Sequence, residues 1–169
     1  VQELRETSGE PMAAIHRAQH AVAASAAAEG LGPSIDLPLS AYLPEDFIPD
    51  SQLRLRFYRR LARVDSATEV EGLAQELADR FGKLPPAVMD LLYLLRVRAL
   101  AMEAGVQSIA GNRKELSVAL PLPLAATAAE EITARYGGVH VRGGRIWLPA
   151  TDNWQGALLK LLHHLMAGA

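Results

Sequence analysis

The residues best suited to chemistry in this chain are two carboxylates on one predicted helix. Glu76 and Asp79 share a side with Glu69 and Gly72, because the four positions are spaced 3, 4 and 3 apart; we call them the acidic row. Two carboxylates can act as general acid and base, but without a cleft to desolvate them their proton affinities stay ordinary. Gly72 leaves the middle of the row shallow, and the shallow acidic groove that results can bind a partner's arginine side chains in bidentate geometry. On spacing alone we favour an ordinary solvated helix face, and a contact surface for a partner is the alternative.

A second row of charged residues precedes the acidic row in the chain. Its members recur at helical spacing, and we call them the arginine row: Arg56, Arg59, Arg60 and Arg63. Such a row can bind the phosphates of nucleic acid. Apart from Phe57, which belongs to the apolar face of the helix, only Tyr58 is an aromatic residue within the row, and no known nucleic-acid motif accompanies it. We favour a solvated face paired with neighbouring acids, and contact with DNA is the alternative.

No other pattern predicts a catalytic, cofactor or metal site. Gly82 and Lys83 lack the upstream glycine of a phosphate-binding loop, and Leu84 stands where that loop has a hydroxyl residue. His16 and His20 lie one helical turn apart, but we interpret them as solvated side chains. The chain has no cysteine, which excludes disulfides and zinc–sulfur sites and fits a cytoplasmic protein. We therefore expect a fragment that is not an enzyme and that holds no cofactor.

The composition is that of a folded domain. Half of the 169 residues are hydrophobic, which is enough for a substantial core. The formal net charge of −2 predicts no general attraction to nucleic acid. No apolar run reaches membrane-spanning length, so we expect no membrane partner. The chain begins at Val1, without an initiator methionine or a signal sequence, so we expect it to be a piece of a longer protein.

The elements that position the two rows follow from periodicity. Residues 1–34 contain nine alanines between Ala13 and Ala28 and are predicted to be a linker or tail. The domain proper is predicted over residues 35–169. Alternating apolar residues over 35–43 predict a strand, which Pro38 and Pro44 make an edge strand or a short one.

Three helices are predicted next. The first, from about Ser51, carries the arginine row. The second carries the acidic row; Ser66 and Glu69 form its capping-box signal, and Gly82 ends it. The third begins at Pro86 and is apolar nearly all round, which predicts a buried helix. Strand-like segments and helices then follow, with a glycine-turn hairpin over 139–148. The order favours an α+β fold: a helical N-terminal half, then a small, mainly antiparallel sheet with flanking helices.

Three stretches together resemble a known family. They are IDLPLSAYLPEDFIPD at 35–50, LRFYRRL at 55–61 and ELADRFGKLP at 76–85. In this order they resemble the C-terminal domain of the bacterial transcription-repair coupling factor family. The resemblance is good over about residues 35–110 and extends to the remainder only by pattern.

The resemblance implies a function for the fragment. Family members are ATP-driven DNA translocases of transcription-coupled nucleotide-excision repair, which remove stalled RNA polymerase and recruit the repair ATPase UvrA. The fragment would be their regulatory domain. It would cover the UvrA-binding surface of an N-terminal UvrB-like module and restrain the motor until polymerase engagement releases it. The matching contact residues are Glu76 and Asp79, whereas Arg80 and Phe81 would hold the helix in place.

Two further hypotheses remain beside this autoinhibitory interaction domain. One is an accessory module that contacts DNA through the arginine row from Arg56 to Arg63. The other is a small independent enzyme, which requires an enclosed pocket lined by convergent polar groups.

Overall fold

The computed structural model describes residues 32–168. The predicted linker over residues 1–34 lies outside this range apart from its last three residues, and so do His16 and His20. The described part contains five helices and a five-stranded mixed sheet, which confirms the α+β class. None of the helices within these residues has the length and apolarity needed to cross a membrane.

The elements fall into two compact units, one over residues 39–96 and one over residues 32–38 and 97–168. In chain order they are β1 Ser34–Asp36, α1 Ser51–Ala62, α2 Ala67–Phe81, α3 Pro86–Glu103, β2 Ser108–Gly111, β3 Glu115–Ala119, α4 Ala126–Arg135, β4 His140–Arg142, β5 Arg145–Pro149 and α5 Trp154–Ala167.

The helix ends of the first unit lie where the sequence predicts them. The Asp50 carboxylate accepts hydrogen bonds from the Gln52 and Leu53 amides and caps α1. The Ser66 hydroxyl accepts from the Glu69 amide at 3.3 Å and caps α2. Gly82 ends α2 with φ 90° and ψ −154°, a conformation that side-chain-bearing residues rarely adopt.

The core of this unit lies among the apolar faces of its helices. Val70, Leu73 and Leu77 form the buried stripe of α2. Tyr58 of α1 is fully buried, and its hydroxyl accepts a hydrogen bond from the Leu43 amide at 2.7 Å. This bond satisfies a backbone donor that would otherwise be buried without a partner. It therefore ties the segment before α1 to the core.

The second unit is built on the sheet, in the strand order β1-β2-β3-β5-β4. β1 pairs parallel with β2, and the three remaining pairings are antiparallel. β1 is an edge strand and is short, as Pro38 and Pro44 predict; it has three residues, so the alternation over 35–43 continues beyond the end of the strand at Asp36. Pro38 has no amide hydrogen and cannot continue the hydrogen-bond ladder.

The sheet has one buried face and one outward face. Ile35, Ile109, Val118 and Ile146 are register neighbours on the buried face. Helix α4 contacts β4, and α5 contacts β5. The hairpin between β4 and β5 turns at Gly143 with φ 61°, as the glycine pair predicts.

Candidate functional site: the charged face of helices α1 and α2

The acidic row lies on the exposed side of α2, but its members have different surroundings. Glu69 is near the helix start, where its carboxylate accepts a hydrogen bond from the Asp65 amide at 3.3 Å. A capping box would place this bond at the amide of the N-cap residue Ser66, so the contact lies one residue before it, and the Glu69 side chain stays exposed. Gly72 is exposed, and a Cβ atom added to it would meet nothing within 4 Å. The middle of the row is therefore open.

Glu76 is held by two arginines of the same unit. Arg60 of α1 donates from Nη1 and Nη2 to the two carboxylate oxygens of Glu76, at 2.9 and 2.7 Å. Arg80, one turn further along α2, donates to Oε1 at 3.1 Å. These hydrogen bonds, the Arg60 pair above all, lower the pKa of Glu76 to about 2. We call these three residues the Glu76 cluster.

The arginines of the Glu76 cluster also lie over aromatic rings. The guanidinium carbon of Arg80 is 5.3 Å from the Phe57 ring centre and 5.4 Å from that of Phe81. Arg60 is 5.4 Å from the Phe57 ring centre. The two rings contact each other edge to face at 5.7 Å. The cluster therefore joins α1 to α2 through both charge and cation–π contact, which supports the structural role predicted for Arg80 and Phe81.

Asp79 is the carboxylate of the row that remains available. It is exposed, and one of its oxygens accepts a hydrogen bond from the Gln75 side chain at 3.0 Å. Within residues 32–168 it forms no ion pair. A cation from a partner can therefore reach Asp79 without first displacing another cation.

An open groove lies beside Gly72. It has a volume of about 400 Å³, and its lining residues are Arg60, Arg63, Val64, Glu69, Gly72 and Leu73. Val64 and Leu73 are buried and form an apolar floor. The sequence predicts an acidic groove here, but the groove is mixed in charge because Arg60 of α1 and Arg63, which caps the end of α1, also line it. A partner segment would have to match both signs.

The arginine row is divided between structural and exposed members. Arg60 is committed to Glu76, which is the pairing with a neighbouring acid that the sequence analysis favours. Arg56, Arg59 and Arg63 are exposed and have no carboxylate partner within the described part of the chain. Across residues 32–168, no group of three or more histidine, aspartate or glutamate side chains is placed to hold a metal ion.

The link between the two rows is not visible in the sequence. Arg60 and Glu76 lie 16 residues apart on different helices, so no local spacing connects them. The available signal was that both rows lie beside the apolar stripes of consecutive helices. Two such helices packed side by side bring their flanking charges together.

Comparisons with known proteins agree on one family. A family model described as the TRCF domain matches residues 37–130. The chain is 37% identical over 108 residues to the transcription-repair-coupling factor of Mycobacterium bovis, covering 64% of the chain and 9% of that relative. It is 41% identical over 80 residues to that of Escherichia coli, covering 47% of the chain and 7% of the relative.

A solved structure shares the fold. It is described as the crystal structure of the C-terminal domain of transcription-repair coupling factor. The TM-score is 0.66 at 20% sequence identity, and the match covers 81% of this chain and 95% of that one. The chain thus spans less than a tenth of its full-length relatives but nearly all of this single domain.

Proposed function

Because the chain belongs to the TRCF domain family, we propose that it is a non-catalytic interaction domain that restrains a longer DNA translocase. The parent acts in transcription-coupled repair in the bacterial cytoplasm. The domain covers the UvrA-binding surface of an N-terminal UvrB-like module of the same protein. Engagement of RNA polymerase shifts the parent to the state in which the domain is released.

The observation that carries the proposal is the open α2 face around Gly72 and Asp79. It lies in the segment that the family model matches. Asp79 is exposed without an ion partner among residues 32–168, and the Gly72 position leaves room for a partner to approach. Basic side chains of the N-terminal module would bind this face in charge-assisted hydrogen bonds. Such contacts dissociate more readily than a large apolar interface, which suits a restraint that must open.

The Glu76 cluster adds a second step to this proposal. Glu76 already accepts three hydrogen bonds from Arg60 and Arg80, so a partner's arginine can bind it in bidentate geometry only by replacing one of them. One charge-assisted pair is then exchanged for another, and the net free-energy change is small. Asp79 requires no such exchange. We therefore assign the main contact to Asp79 and an exchange role to Glu76, with Glu69 and Gly72 at the edge of the surface.

The test uses the full-length parent protein with Asp79→Lys. This change reverses the charge at Asp79 and replaces no residue of the Glu76 cluster. We expect the domain carrying the change to bind the isolated N-terminal module more weakly. We expect the full-length parent carrying the change to bind isolated UvrA more tightly. Calorimetry measures both affinities. Glu130→Lys is the matched control, because Glu130 is an exposed acid on α4. If both affinities are unchanged by Asp79→Lys, the restraint does not act through this face.

One observation favours a second candidate function. Arg56, Arg59 and Arg63 are exposed without carboxylate partners in the described range, as expected of a surface that contacts duplex DNA. Replacement of all three by alanine in the 169-residue chain should then abolish binding to a labelled duplex at low salt, measured by fluorescence anisotropy. Unchanged binding, or no binding by the original chain, would rule this function out.

A further inference from the structure

The outward face of the sheet carries a row of residues that crosses all five strands. Register pairs place Asp36, Ala110, Ser117, Trp147 and His140 side by side in that order. Because side chains alternate along a strand, these five project to the face opposite the buried isoleucines. The middle of the row has small side chains, and its aromatic members stand on β4 and β5. The result is a flat floor with an aromatic wall.

A cavity of about 210 Å³ lies against that wall. Trp147 lines it from β5, Ala110 and Ser117 form its floor, and Asp36 and Glu115 supply carboxylates at its rim. Glu115 pairs with Pro149, two residues beyond Trp147 on β5, so it is a diagonal neighbour of the indole. Diagonal neighbours lie about 7–8 Å apart, which is within reach of one planar ligand. The cavity thus combines a stacking surface with hydrogen-bond acceptors.

Two arginines of the same sheet face stand directly opposite each other on β4 and β5, each two residues from an aromatic member of the row. Arg142 and Arg145 are a register pair that flanks the hairpin turn, and both are exposed. Like charges in directly opposite positions destabilise a sheet. Neither arginine has a carboxylate partner among residues 32–168. Their repulsion would be relieved by a bound anion.

Arg145 also connects the anion position to the aromatic wall. Its Nη1 donates to the Ser117 hydroxyl at 3.2 Å, and its guanidinium carbon lies 5.5 Å from the Trp147 ring centre. The His140 ring is nearly parallel to the indole, at 15° and 6.0 Å between centres. Aromatic rings next to arginines that have no carboxylate partner are the combination that binds the bases and phosphates of single-stranded nucleic acid.

We propose that this outward sheet face binds an unpaired nucleotide of single-stranded nucleic acid. The base stacks on Trp147 in the cavity, and the adjoining phosphate lies between Arg142 and Arg145. The rim carboxylate of Glu115 accepts a hydrogen bond from an exocyclic amino group. Adenine, guanine and cytosine carry such a group, whereas thymine and uracil do not. The site belongs to the unit over residues 32–38 and 97–168 and is independent of the α2 face.

The arginine pair is the reason for choosing a nucleotide over a basic peptide. Two carboxylates and an indole would also suit a partner's arginine side chain. Such a side chain would have to approach Arg142 and Arg145, whose charges repel it. A nucleotide uses both halves of the site, because its phosphate meets the arginines and its base meets the acceptors.

The experiment titrates the 169-residue chain into fluorescein-labelled 12-mers of oligo(dA), oligo(dT) and a duplex at low salt, read by anisotropy. We expect oligo(dA) to bind more tightly than oligo(dT) and the duplex. Trp147→Ala should weaken oligo(dA) binding about 5-fold to about 150-fold, the range for loss of one stacked base. Trp147→Phe should retain part of the affinity. The Arg142→Ala, Arg145→Ala double variant should weaken binding and flatten its salt dependence.

Arg135→Ala is the matched control, since it removes one exposed arginine from α4. Circular dichroism verifies that each variant is folded. If Trp147→Ala does not fold, the Arg142→Ala, Arg145→Ala double variant still tests the site. In NMR spectra recorded with oligo(dA), we expect the indole N–H resonance of Trp147 to shift and that of Trp154 to stay unchanged. This result would show that the base binds at Trp147. Any of three results overturns the proposal. They are the absence of oligo(dA) binding, oligo(dA) binding that is unchanged in the Trp147 and arginine-pair variants, and a Trp147 resonance that shifts with a tetra-arginine peptide but not with oligo(dA).

Discussion

The Glu76 cluster provides the sharpest prediction, because its energy can be bounded from the structure. The perturbation is Glu76→Gln, which keeps the size of the side chain and removes its charge. A fall of the pKa from 4.5 to about 2 corresponds to at most about 3 kcal/mol of stabilisation. The Arg60 and Arg80 side chains are 51% and 47% exposed, so solvent screens much of that energy. Exposed ion pairs contribute about 0.2–1 kcal/mol each, and we expect a loss of about 1 kcal/mol.

The pH dependence of that loss follows from the direction of the pKa shift. The pKa of Glu76 is lower in the folded than in the unfolded chain, so its contribution is complete above about pH 4.5. It is lost as the pH falls from there towards 2. The difference in unfolding free energy between the original chain and Glu76→Gln should therefore be about 1 kcal/mol at pH 7. At pH 3 it should be less than half of that value.

Urea unfolding followed by far-ultraviolet circular dichroism measures both values. Tryptophan fluorescence is unsuitable, because Trp147 and Trp154 both lie in the other compact unit. Glu71→Gln is the matched control on the same helix: Glu71 is 69% exposed and 3.8 Å from Arg96, so we expect a change below about 0.3 kcal/mol. Equal stability of Glu76→Gln and the original chain at pH 7 would refute the reasoning. So would a difference that is the same at pH 3 as at pH 7.

Three further predictions use the same urea assay at pH 7. Gly72→Ala should stabilise the chain by up to about 1 kcal/mol, because the new Cβ meets nothing and alanine favours the helix. Gly82→Ala should destabilise it by about 1 kcal/mol or more, because φ is 90° there; the same sign at both glycines would contradict this account. Tyr58→Phe should cost about 1–3 kcal/mol, because the buried Leu43 amide loses its acceptor; a neutral effect would show that this bond contributes nothing.

Local signals predicted the boundaries of the helices well. A cap depends on residues a few positions apart, so the Ser66 cap and the Gly82 stop of α2 could be recognised from the sequence. The paired glycines likewise predicted the turn between β4 and β5. These features are decided by backbone conformation within one turn, and tertiary packing did not override them.

Long-range contacts were not accessible in the same way. The pairing of Arg60 with Glu76 joins two helices, and the stacking of His140 on Trp147 requires the strand register. The alternation of apolar residues over 35–43 extends beyond β1. Such alternation indicates which side chains are buried, and side chains can be buried alternately in a segment that forms no hydrogen bonds to a neighbouring strand. The charge of the groove beside Gly72 was also mispredicted. Residues from two separate segments line it, and the sequence alone did not show that Arg60 and Arg63 lie next to Gly72.

The position of β1 has a consequence for the order in which the chain becomes structured. Ser34 pairs with Ser108, which follows it by 74 residues, and the whole 39–96 unit lies between them in the chain. During synthesis β1 must wait for β2, whereas the intervening helices can pack as soon as they emerge. The β1–β2 pairing closes the longest loop in the sheet with a strand of three residues. A mechanical pull on the chain ahead of Ser34 would load that short pairing first, so β1 is a strand that pairs only after β2 has been made and that such a pull would detach first.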